Sequence, residues 1–406
     1  MIINPAIIKY KVNKPMSYQE FLSKVKNYGE AVKADISELQ KDWDNTISLQ
    51  GDFKNLLETI YDCYPYLFKF LFPHVKDEQL RQLSIAGRLF GASIVLYDEF
   101  LDKEIFDKNA RKLFTPLVMQ WESQKILNRL FEPGSLFWKR FDGYYREHIQ
   151  ACAEEESFRD GKRCWSEFTE ELGLKIAVGK NGISRAVAAG LVELSGNEAV
   201  YNSLVGSISN FNIACQVLDD MVDWKQDLKD CAPSLLLTRV FNENPHLFEN
   251  GNAQDTNDFA RIIYYRDYAR QHLTIGLRAV EKSLNLLKQI EGDKTDWHVL
   301  VVMTGRKLES LLEDFEAIVR RNKLRVQTQL KVHLEIPLAS NDFELVAYQA
   351  LAFVIEQWRK GFGEARHIMN LTAAEGFSSD TKSQYRYGDV FNARSFWKLS
   401  ATFKTN

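Results

Sequence analysis

The stretch ACQVLDDMVDWKQDLKD, residues 214–230, contains the pattern that decides the fold. On an α-helix, Asp219, Asp223 and Asp227 would share one stripe, with Asp220 beside it. We call these four residues the acidic stripe. Like charges one turn apart repel each other, so the acidic stripe destabilises an isolated helix. Carboxylates, together with the phosphates of a substrate, are the ligands that Mg²⁺ prefers. The acidic stripe therefore predicts either a solvated helix face or one wall of a magnesium site.

A second acidic cluster, DEFLD at residues 98–102, also ends an apolar run. Asp98 and Asp102 lie one helical turn apart, with Glu99 next to the first of them. Two acidic clusters that each end an apolar helical segment predict two walls that face each other across a helical core. Such walls would hold Mg²⁺ ions and, through them, a diphosphate, whose developing charge the metals would neutralise. The second cluster therefore favours the metal site over the solvated face.

The bulk composition excludes several classes of protein. Hydrophobic residues make up 45% of the 406 residues, enough for a core in one large or two ordinary domains. The net charge of −3 argues against nucleic-acid binding, and no apolar run approaches the roughly 18 residues of a membrane span. The N-terminus lacks the order of a signal peptide, and the five cysteines, without CxxC spacing, indicate reduced thiols. We therefore expect a cytoplasmic protein with no nucleic-acid partner and no transmembrane segment.

The remaining pattern predicts helices. Prolines are absent from residues 134–232 and 246–336, and apolar residues recur there every three or four positions. Residues 263–284 are one such continuous helical pattern. Strand-like alternation is confined to residues 326–336, for which a strand and a loop between helices both stay open. Helix breaks are predicted near residues 45–51, 72–76, 132–135, 195–198, 231–233, 242–256 and 290–294.

A third element is the segment KIAVGKNGISRAVAAGLVELSG, residues 175–196, a helical pattern rich in small residues. It contains Lys180 and Arg185, and a turn at Gly196 would fold the chain back before the acidic stripe. A lysine near the carboxylate walls would offer a direct cation to a diphosphate. An ordinary surface lysine is the other interpretation of the spacing.

The order of these elements resembles the trans-isoprenyl diphosphate synthase family. In that family a lysine on a small-residue helix is followed, about forty residues later, by a glutamine and a DDxxD motif. Here those positions hold Lys180, Gln216 and the DDMVD of residues 219–223. Residues 98–102 resemble the family's first aspartate-rich motif, with Glu99 where a second aspartate is usual. The resemblance covers roughly residues 80–240.

The resemblance implies an all-α class I isoprenoid synthase fold, a helical bundle around a deep apolar cavity. We expect this domain at residues 1–330 and a helical extension at 331–406 that caps the cavity or packs on a partner. The resemblance also implies a trinuclear Mg²⁺ site, in which Mn²⁺ can substitute, and a prenyl diphosphate substrate. A homodimer and a further module beyond the C-terminus are expected as well.

The site residues that follow from the motifs fall into two groups. The expected metal ligands are Asp98, Glu99, Asp102, Asp219, Asp220, Asp223 and Asp227, with Asp98, Asp102, Asp219 and Asp223 as the catalytic set. The expected substrate-binding residues are Lys180, Arg185, Gln216 and Lys225.

Three departures from the family pattern bear on the reaction. Chain-elongating members carry an Arg-Arg pair soon after the first motif, but here KEIFDKNARKLF follows Asp102. They also carry a GGKR-like segment near the N-terminus, which residues 1–80 lack. Trp224 and Asp227 stand where those members have a glycine- and lysine-rich loop. These differences favour a single diphosphate substrate.

We therefore expect a terpene synthase that ionises a linear prenyl diphosphate and cyclises or quenches the carbocation, although the usual NSE-type second motif is absent. The first alternative is a prenyltransferase that condenses an allylic diphosphate with isopentenyl diphosphate or another acceptor. The second is a non-catalytic binding protein with the same fold. The intact acidic residues argue against the second alternative, because clustered charge is costly to keep without a function.

Overall fold

The computed structural model describes residues 18–45, 63–102, 113–244 and 256–334. These residues form α-helices joined by turns and short 3-10 segments, with no strand among them, as the sequence predicts. The helices are α1 (Tyr18–Asp44), α2 (Tyr64–Leu67), α3 (Asp77–Asp102), α4 (Phe114–Leu130), α5 (Leu136–Arg159), α6 (Glu170–Lys180), α7 (Ala186–Ser195), α8 (Tyr201–Lys229), α9 (Leu235–Glu243), α10 (Thr256–Tyr265), α11 (Tyr268–Lys288) and α12 (Thr295–Leu334). The extension expected at 331–406 lies outside the described residues from 335 onward.

The strand-like alternation near the end of α12 does not form a strand. Residues 326–334 continue the 40-residue helix α12, so a strand and a loop are both wrong for them. Val326, Leu330 and Leu334 are spaced by four positions, and that spacing fits a helix as well as alternation does. The preceding helical turns therefore decide the local conformation.

The pattern at 263–284, predicted as one helix, is interrupted between α10 and α11. Asp267 adopts a left-handed conformation with φ of 75°, and its Oδ1 accepts a hydrogen bond of 2.6 Å from Arg270 Nε. Aspartate tolerates this conformation because its short side chain can bond to neighbouring groups. No glycine or proline marks this break in the sequence, so the periodic pattern alone missed it.

The small-residue segment 175–196 is also broken. Helix α6 ends at Lys180, a 3-10 turn spans Gly182–Arg185, and α7 follows. The Asn181 side-chain amide donates to the carbonyl of Ala177 at 3.1 Å, and the Ser184 hydroxyl donates to the carbonyl of Asn181 at 2.7 Å. Such local side-chain bonds compete with continued helix. The break places Lys180 at a helix end rather than on a helix face.

The chain divides into two compact units. Of the described residues, the first contains those up to Glu154, together with Lys175–Ala214 and Arg278–Gly305. Its core includes Trp297, whose ring packs against Tyr64, Phe68 and Phe211. The Trp297 indole N–H donates to Ser207 Oγ at 2.9 Å, which satisfies its one polar atom within the apolar core.

Of the described residues, the second unit contains Glu155–Leu174, 215–244, 256–277 and 306–334. Its hydrophobic core is built on Trp224 of α8, which is fully buried with residues of α9, α10, α11 and α12. Helix α9 begins at Ser234, whose hydroxyl accepts a bond from the Leu237 amide at 3.3 Å and caps the helix. Among the described residues, no helix combines the length and apolar character that a membrane span requires.

Candidate functional site

All four aspartates of the acidic stripe lie on α8, as the spacing predicts. Their environments differ sharply. Asp219 and Asp223 are exposed, whereas Asp220 is only 2% exposed and Asp227 is partly buried. Consecutive positions on one helix thus present carboxylates both to solvent and to the core of the second unit. The acidic stripe is neither a fully solvated face nor a uniform wall.

The buried Asp220 carboxylate is held from several directions. Its Oδ1 accepts a hydrogen bond of 2.8 Å from Gln216 Nε2, one turn earlier on α8. Its Oδ2 lies 3.3 Å from Nε2 of His272 on α11. Backbone amides of Leu235 and Leu236, in the first turn of α9, favour its charged form. Burial outweighs these partners and raises the pKa of Asp220 to about 7.

Asp227 also ionises less readily than an ordinary aspartate. Burial raises the pKa of Asp227 to about 8, and the nearby carboxylates of Asp220, Asp219, Asp223 and Glu155 add to the effect. These four carboxylates therefore lie close enough to Asp227 to disfavour its ionised form. A divalent cation bound there would relieve that repulsion.

Gln216 and Lys225, both expected to bind substrate, have different surroundings. The Gln216 amide lies 2.8 Å from Asp220 Oδ1 and 3.5 Å from Asp219 Oδ2, so it contacts two carboxylates of the acidic stripe. The Lys225 ammonium lies 5.5 Å from the centre of the Trp224 ring, and burial lowers the pKa of this lysine. Gln216 therefore contacts the carboxylates of the acidic stripe and can help to orient Asp219 and Asp220.

Asp219 and Asp223 suit a magnesium ion. They are exposed carboxylates one helical turn apart, and Mg²⁺ is commonly bound by one or two carboxylates with water and phosphate completing its shell. Within the described side chains, no cluster of three or more histidine, cysteine or acidic groups is arranged to hold a metal. Asp98, Glu99 and Asp102 lie in the last turns of α3, and their side chains are outside the described part.

The two basic residues expected at the site lie in the first unit. The Lys180 carbonyl, at the end of α6, accepts a hydrogen bond of 2.8 Å from His148 Nδ1. Arg185 is buried, forms an ion pair with Glu147, and lies 4.4 Å from the centre of the Tyr144 ring. Arg185 is therefore held by Glu147 and Tyr144, whereas the backbone of Lys180 is fixed at the helix end by His148.

Sequence reasoning did not single out His272, which the structure places beside Asp220. It is 1% exposed and lies on α11, within the apolar pattern of residues 263–284. Burial lowers the pKa of His272 to about 3, so its ring is neutral near neutral pH. A histidine at an apolar position of a helical repeat was the available signal, but it does not identify Asp220 as the partner.

The fold is that of class I isoprenoid synthases of the trans-isoprenyl diphosphate synthase type. Geranylgeranyl pyrophosphate synthetase from Pyrococcus horikoshii matches with a TM-score of 0.54 and 15% identity, over 71% of this chain and 98% of its own. The Lactobacillus brevis geranylgeranyl pyrophosphate synthase matches with a TM-score of 0.57 and 13% identity, over 70% and 97%.

A polyprenyl synthase from Caulobacter crescentus, complexed with calcium and isoprenyl diphosphate, matches with a TM-score of 0.51 and 13% identity, over 71% of this chain and 94% of its own. No protein-family model matches the sequence, and no curated protein is significantly similar to it. At these identities the similarity establishes the fold, which confirms the architecture that the paired acidic motifs predict.

Proposed function

We propose that this protein is a magnesium-dependent prenyltransferase that joins an allylic prenyl diphosphate to isopentenyl diphosphate or another acceptor. The observation that carries the proposal is the pair of exposed carboxylates, Asp219 and Asp223, one turn apart on a helix of this fold, with the Gln216 amide 3.5 Å from Asp219 Oδ2. The Pyrococcus and Lactobacillus proteins reported above are geranylgeranyl pyrophosphate synthases, and the Caulobacter protein is complexed with calcium and isoprenyl diphosphate. This proposal takes the first alternative from the sequence in preference to the terpene synthase expected there.

The residues of the acidic stripe divide the work in this proposal. Asp219 and Asp223 hold divalent cations from α8, and Asp98 and Asp102, near the end of α3, are proposed to hold them from the other motif. Bound divalent cations would neutralise the charge that develops on the departing diphosphate. Asp227 is proposed as an additional ligand or supporting carboxylate. Gln216, whose amide contacts Asp219 and Asp220, is proposed to orient the Asp219 carboxylate.

The substrate's diphosphate needs direct donors as well as metals. Lys180 is proposed to bind phosphate oxygens as a compact positive charge. Arg185 and Lys225 were expected to help. Arg185 is engaged by Glu147 and Tyr144, so we assign it to holding the turn that follows Lys180. Lys225 lies against Trp224 and stays a proposed donor.

A terpene synthase that ionises a single prenyl diphosphate is the second candidate. The sequence favours it because the Arg-Arg pair and the GGKR-like segment of chain-elongating enzymes are missing. Both candidates share the ionisation of an allylic diphosphate and differ only in what reacts with the cation. A homodimer and a cytoplasmic location stay predictions from the sequence.

The deciding experiment incubates the protein and Mg²⁺ with C10, C15, C20 and C25 diphosphates, each with and without isopentenyl diphosphate. Organic-phase and aqueous products are then separated by chromatography and identified by mass spectrometry. Longer diphosphates formed only with the C5 partner would support the prenyltransferase. Hydrocarbons or alcohols formed without it would support the terpene synthase. Absence of diphosphate release under every condition would favour the non-catalytic binding protein and would overturn both enzymes.

A further inference from the structure

Two buried polar side chains meet where α11 packs on α8 in the second unit. His272 is 1% exposed and Asp220 is 2% exposed, and 3.3 Å separates His272 Nε2 from Asp220 Oδ2. Asp220 directly follows the exposed Asp219 in the sequence and precedes the exposed Asp223 by slightly less than one helical turn. A residue that fixes Asp220 therefore acts on the backbone that carries both exposed carboxylates.

Helix α11 approaches α8 closely at this point. A Cβ atom added to Gly276, one turn after His272, would lie 2.9 Å from Val217 Cγ1 and 3.0 Å from Leu308 Cδ1. Real Cβ atoms essentially never come that close to another heavy atom, so only glycine fits without a shift of its neighbours. The absence of a side chain at Gly276 thus lets the helices close, which brings the His272 ring within reach of Asp220.

A helix pair that served stability alone would not need this contact. The contact between Asp220 Oδ2 and His272 Nε2 is not a well-formed hydrogen bond, although backbone groups of Leu235 and Leu236 also act on the carboxylate and the backbone of Val217 acts on the imidazole. Leaving such atoms buried costs free energy, and apolar residues of similar volume often stabilise a core more than a buried polar pair does. Their retention at the base of the acidic stripe points to a task in placing Asp220.

We propose that His272 is a positioning residue that holds Asp220 and, through Asp220 and Gln216, fixes the Asp219 and Asp223 carboxylates for a divalent cation. His272 itself touches neither the cation nor the substrate. Gln216 links the buried carboxylate to an exposed one, because its amide contacts both Asp220 and Asp219. Residues that orient metal ligands commonly change metal affinity by about 10- to 100-fold when they are removed. The inference rests on the proposed function for the identity of the cation's task, but it can be tested by cation binding alone.

The test compares two amide variants that differ by a single methylene, His272→Gln and His272→Asn. The glutamine amide can reach the position of the imidazole Nε2 atom, whereas the shorter asparagine amide cannot. Binding of Mn²⁺ in the presence of inorganic diphosphate is measured for each by electron paramagnetic resonance. We expect His272→Gln to bind nearly as tightly as the wild type, and His272→Asn to bind about 10-fold more weakly. Adding Asp220→Asn to His272→Asn should weaken binding no further than Asp220→Asn does alone.

Ser283→Ala is the matched control on the same helix. Ser283 is fully buried and bonds to Ser207 Oγ at 2.8 Å, so its replacement should lower the melting temperature without changing Mn²⁺ affinity. Equal affinity of both amide variants, equal loss in both, or additive loss with Asp220→Asn would overturn the positioning role, as would a wild-type protein that binds no Mn²⁺. A wild type that binds Mn²⁺ but releases no diphosphate from any prenyl substrate would overturn the proposed function and leave the positioning result intact.

Discussion

The exposed and the buried aspartates of α8 lie on the same helix but differ in solvent exposure and in the groups they contact. Asp219 and Asp223 are exposed to solvent, where a hydrated cation and a phosphate can reach them. Asp220 points into the second unit, between Gln216 and His272, and burial raises its pKa to about 7. The DDxxD pattern specifies the spacing of the three carboxylates, and the packing of α9 and α11 gives them different surroundings. We propose that Asp220 supports the site from within the core.

The same division separates the two basic residues in the first unit. Arg185 is buried, pairs with Glu147 and lies over the Tyr144 ring. Lys180 ends α6 and is only partly buried. Charge alone made both residues candidates for binding a diphosphate. The burial of Arg185 and its contacts with Glu147 and Tyr144 favour a structural role for the arginine, and Lys180 stays a proposed ligand-binding residue.

The largest effect should come from the exposed pair. Asp219→Asn and Asp223→Asn remove one charged metal ligand each while keeping the side-chain volume, and we expect each to lower kcat for diphosphate release by about 100-fold or more. Because both side chains are exposed, the melting temperature should change little. Steady-state diphosphate release over a range of Mg²⁺ concentrations, with thermal unfolding alongside, checks both statements.

Asp230→Asn supplies the matched control for these variants. Asp230 is an exposed carboxylate just past the end of α8, where it accepts a bond from Gln226. We expect nearly unchanged turnover in this variant. Comparable losses from Asp230→Asn and Asp219→Asn would mean that general negative charge, rather than a defined ligand pair, supports activity.

Much of this contrast lies beyond what the sequence could predict. Helical periodicity was sufficient for the all-α architecture, for most helix breaks and for the placement of residues 219–227 on one helix, because those features depend on local spacing. The partnership of Asp220 with His272 depends on how α11 packs, more than 50 residues later in the chain, and no local pattern encodes it. The break at Asp267 was missed because neither glycine nor proline marks it, and the break at Asn181 was missed although Gly182 follows directly; side-chain hydrogen bonds accompany both breaks.

The second-largest effect should come from the buried aspartate. In Asp220→Asn the side-chain oxygen can still accept from Gln216, but the charge beside His272 is lost. We expect the Mg²⁺ concentration for half-maximal activity to rise about 10-fold, with a smaller change in kcat at saturating Mg²⁺. A titration of activity with Mg²⁺ measures this. If Asp220→Asn abolished turnover at every Mg²⁺ concentration, as Asp219→Asn should, Asp220 would itself be a metal ligand and the contrast within α8 would fail.

Lys180→Met and Arg185→Met extend the comparison to the first unit. Lys180→Met should raise KM for the prenyl diphosphate about fivefold, equivalent to about 1 kcal/mol of binding, with little change in melting temperature. Arg185→Met should instead lower the free energy of unfolding by about 2 kcal/mol, because Glu147 loses its partner and Tyr144 its stacked guanidinium. Initial-rate kinetics and urea unfolding separate the two outcomes. The reverse assignment, with a large KM effect only in the arginine variant, would place Arg185 at the substrate.

The smallest effect tests whether burial sets ionisation away from the acidic stripe as well. His298 in α12 is partly buried, and burial, with repulsion from Lys294 and Lys288, lowers its pKa below the ordinary value of 6.5. Below about pH 6.5 the unfolded chain therefore binds a proton at this position more readily than the folded protein, so protonation favours unfolding and stability falls as the pH drops. In His298→Gln, a side chain that stays neutral, this contribution disappears. The melting temperature should therefore fall less between about pH 7.5 and about pH 5.5 in His298→Gln than in the wild type. An equal fall in both proteins would mean that the folded protein solvates the charged imidazole as well as water does.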